Sequence, residues 1–163
     1  MNQRIRYLTH GAIIAALYAV LCHLQNLLLP GSATWAIQMR LAEVLNVLAF
    51  FTPAAAPGLA LGCLVFNLTF SAALPLDFLV GTLATLLAAQ GMYLLRKKPV
   101  LGLFLPAIAN ALLVGWELTV YIGGGFLINA LYVAIGEAIV MLTLGAALYY
   151  AMKKRKLDTV LFG

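Results

Sequence analysis

The sequence predicts an all-α integral membrane protein, a bundle of six transmembrane helices in one domain over residues 1–163, with both termini cytoplasmic. Three observations carry this. Hydrophobic residues make up 64% of the chain against 9% charged, and the mean hydropathy is +1.03, a balance that no soluble domain of this size tolerates. Turn residues divide the chain into apolar segments that can cross a hydrocarbon core of about 30 Å as helices, without the short alternating segments of an outer-membrane barrel. Nine of the ten lysines and arginines lie at the two ends or in one short loop.

The segments run from about 7 to 28, 40 to 52, 55 to 73, 77 to 95, 101 to 121 and 126 to 151. The first follows Arg4 and Arg6 but continues to about residue 28 without a small-residue cleavage site, so it reads as a membrane helix and not a signal peptide. Pro30-Gly31 ends it. The second is short for a full span and is expected to begin in the interface or to tilt. Thr52-Pro53 separates it from the third, Leu74-Pro75 ends the third, Lys98-Pro99 ends the fourth, and Gly123-Gly124-Gly125 separates the fifth from the sixth.

Six spans put both ends on one side. The positive-inside rule requires the basic residues to share that side, and Arg4, Arg6, Arg96, Lys97, Lys98, Lys153, Lys154, Arg155 and Lys156 all do. The opposite loops, 29–39, 74–76 and 122–125, contain no Lys or Arg. The net charge of +5 therefore reads as topology anchors, and nucleic acid is not expected as a partner. Cys22 and Cys63 fall inside apolar runs without metal-ligand spacing. The sequence contains no phosphate-binding loop, so the chain is expected to have no energy source of its own.

An ionisable group facing lipid costs about 3 kcal/mol on insertion scales, so such residues point into the bundle or sit at its edge. Five need a reason: Arg40, Glu43, Asp77, Glu117 and Glu137. The topology brings them toward the outer half of the membrane. Asn110 and Glu117 are seven apart, and Asn129 and Glu137 eight apart, so each pair lies along one helical stripe. Asn67 falls in the outer third of the third segment, and Gln38 directly precedes Arg40. Together with Trp116 these residues are the candidate lining of an outward-facing substrate pocket.

Each has a plainer reading. Arg40 and Glu43, three apart, can neutralise each other as a structural pair. Asp77 follows Pro75 and can simply cap a helix. Trp35 and Trp116 can be interfacial aromatics. Glu117 and Glu137 have no cation nearby in sequence, which makes a structural role harder to write. His10 and His23 are isolated, so neither a metal site nor a cofactor is expected. Ala12, Ala15, Ala16 and Ala19 form small-residue strips that admit close helix approach, as do Gly58 and Gly62.

The runs Gln38-Met39-Arg40-Leu41-Ala42-Glu43, Asp77-Phe78-Leu79-Val80-Gly81-Thr82-Leu83-Ala84-Thr85, Asn110-Ala111-Leu112-Leu113-Val114-Gly115-Trp116-Glu117 and Gly136-Glu137-Ala138 together resemble the QueT family, the queuosine-precursor substrate-binding subunits of energy-coupling factor transporters. The resemblance covers nearly the whole chain. It implies a six-helix capture subunit, not an enzyme, working with a transmembrane coupling subunit and two cytoplasmic ATPases in the lipid bilayer. It further implies that the subunit topples in the membrane after capture, and that Ala12, Ala15, Ala16 and Ala19 dock on the coupling subunit. The implied ligands are 7-deazaguanines such as 7-aminomethyl-7-deazaguanine, or queuine. Such a ring presents adjacent N–H donors that one carboxylate can accept together, and an aminomethyl cation would attract a second. Alternatives are a subunit of the same type for another vitamin or nucleobase, and a small membrane enzyme using Glu117 or Glu137.

Overall fold

The computed structural model describes residues 2–32, 39–70 and 73–162, and among these the chain is helical with no strand. Helix α1, Gln3–Leu28, starts on Asn2, whose side chain accepts the Arg4 N–H at 3.1 Å. Its buried face, Ile14, Ala15, Tyr18, Ala19, Cys22 and Gln25, repeats at helical spacing. Gln25 holds the chain that follows: Nε2 donates to Ser32 Oγ at 2.9 Å and to the Met39 carbonyl at 2.5 Å, and Oε1 accepts the Leu41 N–H at 2.8 Å.

The second segment differs from its expectation as an interfacial or tilted α-helix. Leu41–Phe50 is a 3-10 helix with Ala42, Glu43, Asn46, Val47, Leu48, Ala49 and Phe50 all buried. At about 2.0 Å rise per residue such a helix reaches farther than an α-helix of equal length, and residues three apart eclipse one another. The short segment thus forms a central strut, and Arg40, Glu43 and Asn46 line up along it.

Helix α2, Ala55–Thr69, crosses α1 through its glycines. A Cβ on Gly58 would lie 2.7 Å from the Gly11 carbonyl oxygen, and one on Gly62 would lie 2.6 Å from that of Ala15. Helix α3, Asp77–Leu94, turns Asp77, Gly81, Ala84, Thr85, Ala88 and Ala89 inward. The short α4, Pro99–Gly102, leads into α5, Leu105–Tyr121, and α5 packs closely on α6, Phe126–Val140, where Gly115 meets Ala130. A π turn, Met141–Gly145, joins α6 to α7, Ala146–Lys154. Glu137 before it and Met152 after it are both buried.

Helix α8, Leu157–Phe162, folds back onto the start of the chain. The Phe162 carbonyl accepts from Arg6 Nη2 at 2.9 Å, and its ring stands edge-on to His10 at 5.2 Å. A 300 Å³ groove lined by Phe50, Tyr93, Arg96, Lys153 and Asp158 adds the 95–98 loop to this end. The basic residues on both terminal segments and on that loop therefore gather at one end of the bundle.

Four helices, Gln3–Leu28, Asp77–Leu94, Pro99–Tyr121 and Phe126–Lys154, are long and apolar enough to cross a membrane. Their outward faces carry Leu27, Leu87, Leu112 and Leu127, all more than half exposed. An apolar exterior of this kind is suited to lipid and not to water. The protein is a membrane protein.

Candidate functional site

Polar side chains from several elements are buried in the interior of the bundle. Arg40, Glu43, Asn46, Asn67, Asp77, Thr85, Asn110, Glu117 and Glu137 are all buried. They come from the 3-10 helix and its N-cap, from α2, and from α3, α5 and α6. Glu117 lies in the fields of Asp77 and Arg40, and Glu137 in those of Glu43 and Arg40. One guanidinium thus stands among four carboxyls.

The structural pairing of Arg40 with Glu43 is not the one formed. Arg40 Nη2 lies 4.0 Å from Asp77 Oδ1. Glu43 is held instead by neutral donors, accepting the Tyr18 hydroxyl on Oε1 and the Asn46 side-chain amide on Oε2. The second bond follows from 3-10 geometry, which stacks residues three apart. Asp77 does not cap α3, whose N-cap is Leu76. Its Oδ2 accepts the Leu74 N–H at 2.7 Å, closing a turn that aims Oδ1 at Arg40.

Asn67 donates to the Asp77 carbonyl at 2.7 Å, fastening α2 to the start of α3. Gly81 makes the space these residues occupy. A Cβ there would stand 3.0 Å from Asn67 Nδ2 and 3.6 Å from both Arg40 Nη1 and Cys63 Sγ. Any larger residue would push the guanidinium or the amide off α3.

Several buried polar atoms in this region have no hydrogen-bond partner: Arg40 Nε, Asn46 Oδ1, Asn67 Oδ1, Asn110 Nδ2, both oxygens of Glu117 and Oε2 of Glu137. Each such group costs about 1–3 kcal/mol relative to its hydrogen-bonded state, and stability alone would select against several in one place. Acceptors outnumber donors among them. Unpaired carboxylate and amide oxygens of this kind are able to accept N–H donors.

Two candidates do not join the cluster. Trp116 is 49% exposed, because neighbouring residues on a helix project about 100° apart and Glu117 takes the inward direction. Asn129 is half-buried and closes the loop between α5 and α6, donating to Thr119 Oγ1 and to the Gly123 carbonyl, each at 3.0 Å. Gln38 and Trp35 lie outside the described residues. The alanine strip divides, with Ala15 and Ala19 buried in the chain and Ala12 and Ala16 facing outward. Cys22 and Cys63 are free thiols in the core, and among the described residues no group of three His, Cys, Asp or Glu is placed to hold a metal ion.

Residues that the sequence reading did not select are Tyr18, Gln25 and Asn46. A tyrosine within an apolar helix needs a partner for its hydroxyl, which was the available signal for Tyr18. Asn46, three residues after Glu43, carried a similar one.

Comparison with protein families matches residues 8–154 to the QueT transporter family. The chain belongs to that family. A QueT transporter is not an enzyme, so the membrane-enzyme alternative built on Glu117 or Glu137 falls away. No curated protein and no solved structure matches the chain. Membership of a transporter family implies a small-molecule substrate in a membrane setting.

Proposed function

We propose that this chain is the membrane-embedded substrate-binding subunit of an energy-coupling factor transporter. It captures a queuosine precursor, a 7-deazaguanine such as 7-aminomethyl-7-deazaguanine, or queuine, from outside the cell for ATP-driven uptake. In this reading the whole chain is one domain of six membrane-spanning segments. Leu41–Phe50 and Ala55–Thr69 are the short ones, the basic end is cytoplasmic, and Arg40, Glu43, Asn67, Asp77, Asn110, Glu117 and Glu137 line the substrate site.

The observation that carries the reading is the surplus of unpaired acceptors around a single buried arginine. A 7-deazaguanine offers ring N–H groups and an exocyclic amine, and the aminomethyl form adds an ammonium group. Its few acceptors are a carbonyl and a ring nitrogen, for which Arg40 Nε and Asn110 Nδ2 are available. The nitrile precursor exchanges the ammonium for another acceptor and matches this lining less well.

A transmembrane coupling subunit and two cytoplasmic ATPases complete the proposed transporter. Ala12 and Ala16, exposed and one turn apart on α1, offer the smooth face for the coupling subunit, and toppling after capture would carry the site inward. Expression in cells unable to make queuosine precursors tests this function. The modified tRNA base is expected to reappear from low external 7-aminomethyl-7-deazaguanine only when the chain is present with compatible coupling and ATPase subunits. Equal recovery without the chain would contradict it.

A further inference from the structure

One side chain holds the backbone on both sides of Arg40. Gln25, buried in the last turns of α1, donates from Nε2 to the Met39 carbonyl at 2.5 Å and accepts the Leu41 N–H on Oε1 at 2.8 Å. Arg40 between them is extended, with φ −86° and ψ 102°. In an extended chain the carbonyl before a residue and the N–H after it point to the same side, so a single amide bonds both as a neighbouring strand would. The second Nε2 hydrogen goes to Ser32 Oγ at 2.9 Å.

The guanidinium at the centre of this bracket is not fixed by hydrogen bonds of its own. The Arg40 side chain is 7% exposed, its Nε has no partner, and the ion pair from Nη2 to Asp77 Oδ1 is 4.0 Å long, beyond hydrogen-bonding distance. Gly81 leaves it room, since a Cβ there would lie 3.6 Å from Nη1. A buried charged donor left open in this way is aimed by the backbone that carries it. Tyr18, seven residues before Gln25 on the same buried face of α1, holds the Glu43 carboxyl. Helix α1 therefore grips both charged residues of the strut from one stripe.

We propose that Gln25 is a positioning residue for substrate binding: by holding the two peptide groups that flank Arg40, it directs the open N–H groups of the guanidinium at the carbonyl of the ligand ring. The proposal rests on the functional reading above and adds the residue that sets the direction of its arginine. A planar guanidinium bonds a carbonyl well only within a narrow range of orientation, so a shift of its backbone weakens the bond although the residue that shifted it never touches the ligand.

Titration calorimetry of the full chain in detergent with 7-aminomethyl-7-deazaguanine tests it. Gln25→Met, of similar length without the amide, is expected to weaken binding about tenfold, the scale of one charge-assisted hydrogen bond. Gln25→Asn keeps an amide that is one methylene too short to reach both peptide groups, and it is expected to weaken binding similarly, which keeps the test decisive if the first variant folds poorly. Ser32→Ala removes the Gln25 contact that does not flank Arg40 and is expected to change the affinity by less than about twofold. In an Arg40→Lys background, which keeps the charge and loses the planar fork, adding Gln25→Met is expected to cost less than about threefold more.

A residue that only closes the loop or stabilises the fold gives different results. Unchanged affinity in both Gln25 variants, an equal loss with Ser32→Ala, or the same factor for Gln25→Met in both backgrounds would overturn the positioning role while the functional reading stands. Wild-type protein that binds no 7-deazaguanine would overturn both.

Discussion

Tyr18 on α1 donates its hydroxyl to Oε1 of Glu43 on the 3-10 helix, 25 residues away in sequence, and both side chains are fully buried. The bond ties the helix that packs on α2 to the strut that carries Arg40 and Glu43. It also fixes which way the Glu43 carboxyl faces.

Tyr18→Phe would leave that oxygen buried without a donor. We expect a loss of about 1–3 kcal/mol in stability for an unsatisfied buried acceptor, read as a lower melting temperature in detergent with helical content retained. A variant as stable as the wild type would show that Asn46 alone holds Glu43.

The crossing of α1 and α2 makes a separate prediction. A methyl group at Gly62 would stand 2.6 Å from the Ala15 carbonyl oxygen and 2.7 Å from Tyr18 Cβ, so Gly62→Ala must part the two helices. Overpacking of this kind costs about 1–3 kcal/mol. Gly125→Ala is the control, since its nearest neighbour there is Ile128 at 4.0 Å; as the N-cap of α6 it is expected to cost no more than about 1 kcal/mol. Thermal unfolding of the two variants side by side checks both.

Docking and capture are expected to separate. Ala16 is exposed on α1, so Ala16→Trp should leave ligand binding by the isolated chain intact and prevent co-purification with the coupling and ATPase subunits. Assembly at wild-type yield would place the docking face elsewhere.

At the basic end, Lys153 Nζ lies 2.7 Å from Asp158 Oδ2 and holds the Asp158 carboxyl below its ordinary value through that hydrogen bond. A carboxyl lowered in the folded state contributes stability above its unfolded pKa and loses it as pH falls through the folded value. The attachment of α8 should therefore weaken on acidification. Proteolysis of the C-terminal segment is expected to speed up at low pH in the wild type, and Asp158→Asn should remove the pH dependence that this pair contributes.

The four long apolar helices and the gathering of basic residues were legible in the sequence because burial in lipid leaves long apolar runs and the charges mark their ends. Arg40, Glu43, Asp77, Glu117 and Glu137 stood out because ionisable groups in such runs are costly. The 3-10 helix was hidden, since Leu41–Phe50 is apolar enough to read as a short α-helix, and its hydrogen-bond pattern follows from packing on every side. The π turn leaves no compositional mark. Tyr18 and Gln25 escaped because their partners lie at Glu43 and at Ser32, Met39 and Leu41, contacts that only the fold brings about. Stripe counting brought in Asn129, which shares spacing with Glu137 but sits beside the loop, and Trp116 adjoined Glu117 in sequence while facing away from it.

Competition for labelled 7-aminomethyl-7-deazaguanine on the purified chain tests the central claim most directly. The account predicts that the unlabelled compound displaces it at the lowest concentration and that the neutral nitrile displaces it less effectively, because it lacks the cation that gains a carboxylate partner. Failure of the labelled compound to bind, or stronger displacement by the nitrile or by an unrelated vitamin, would contradict it.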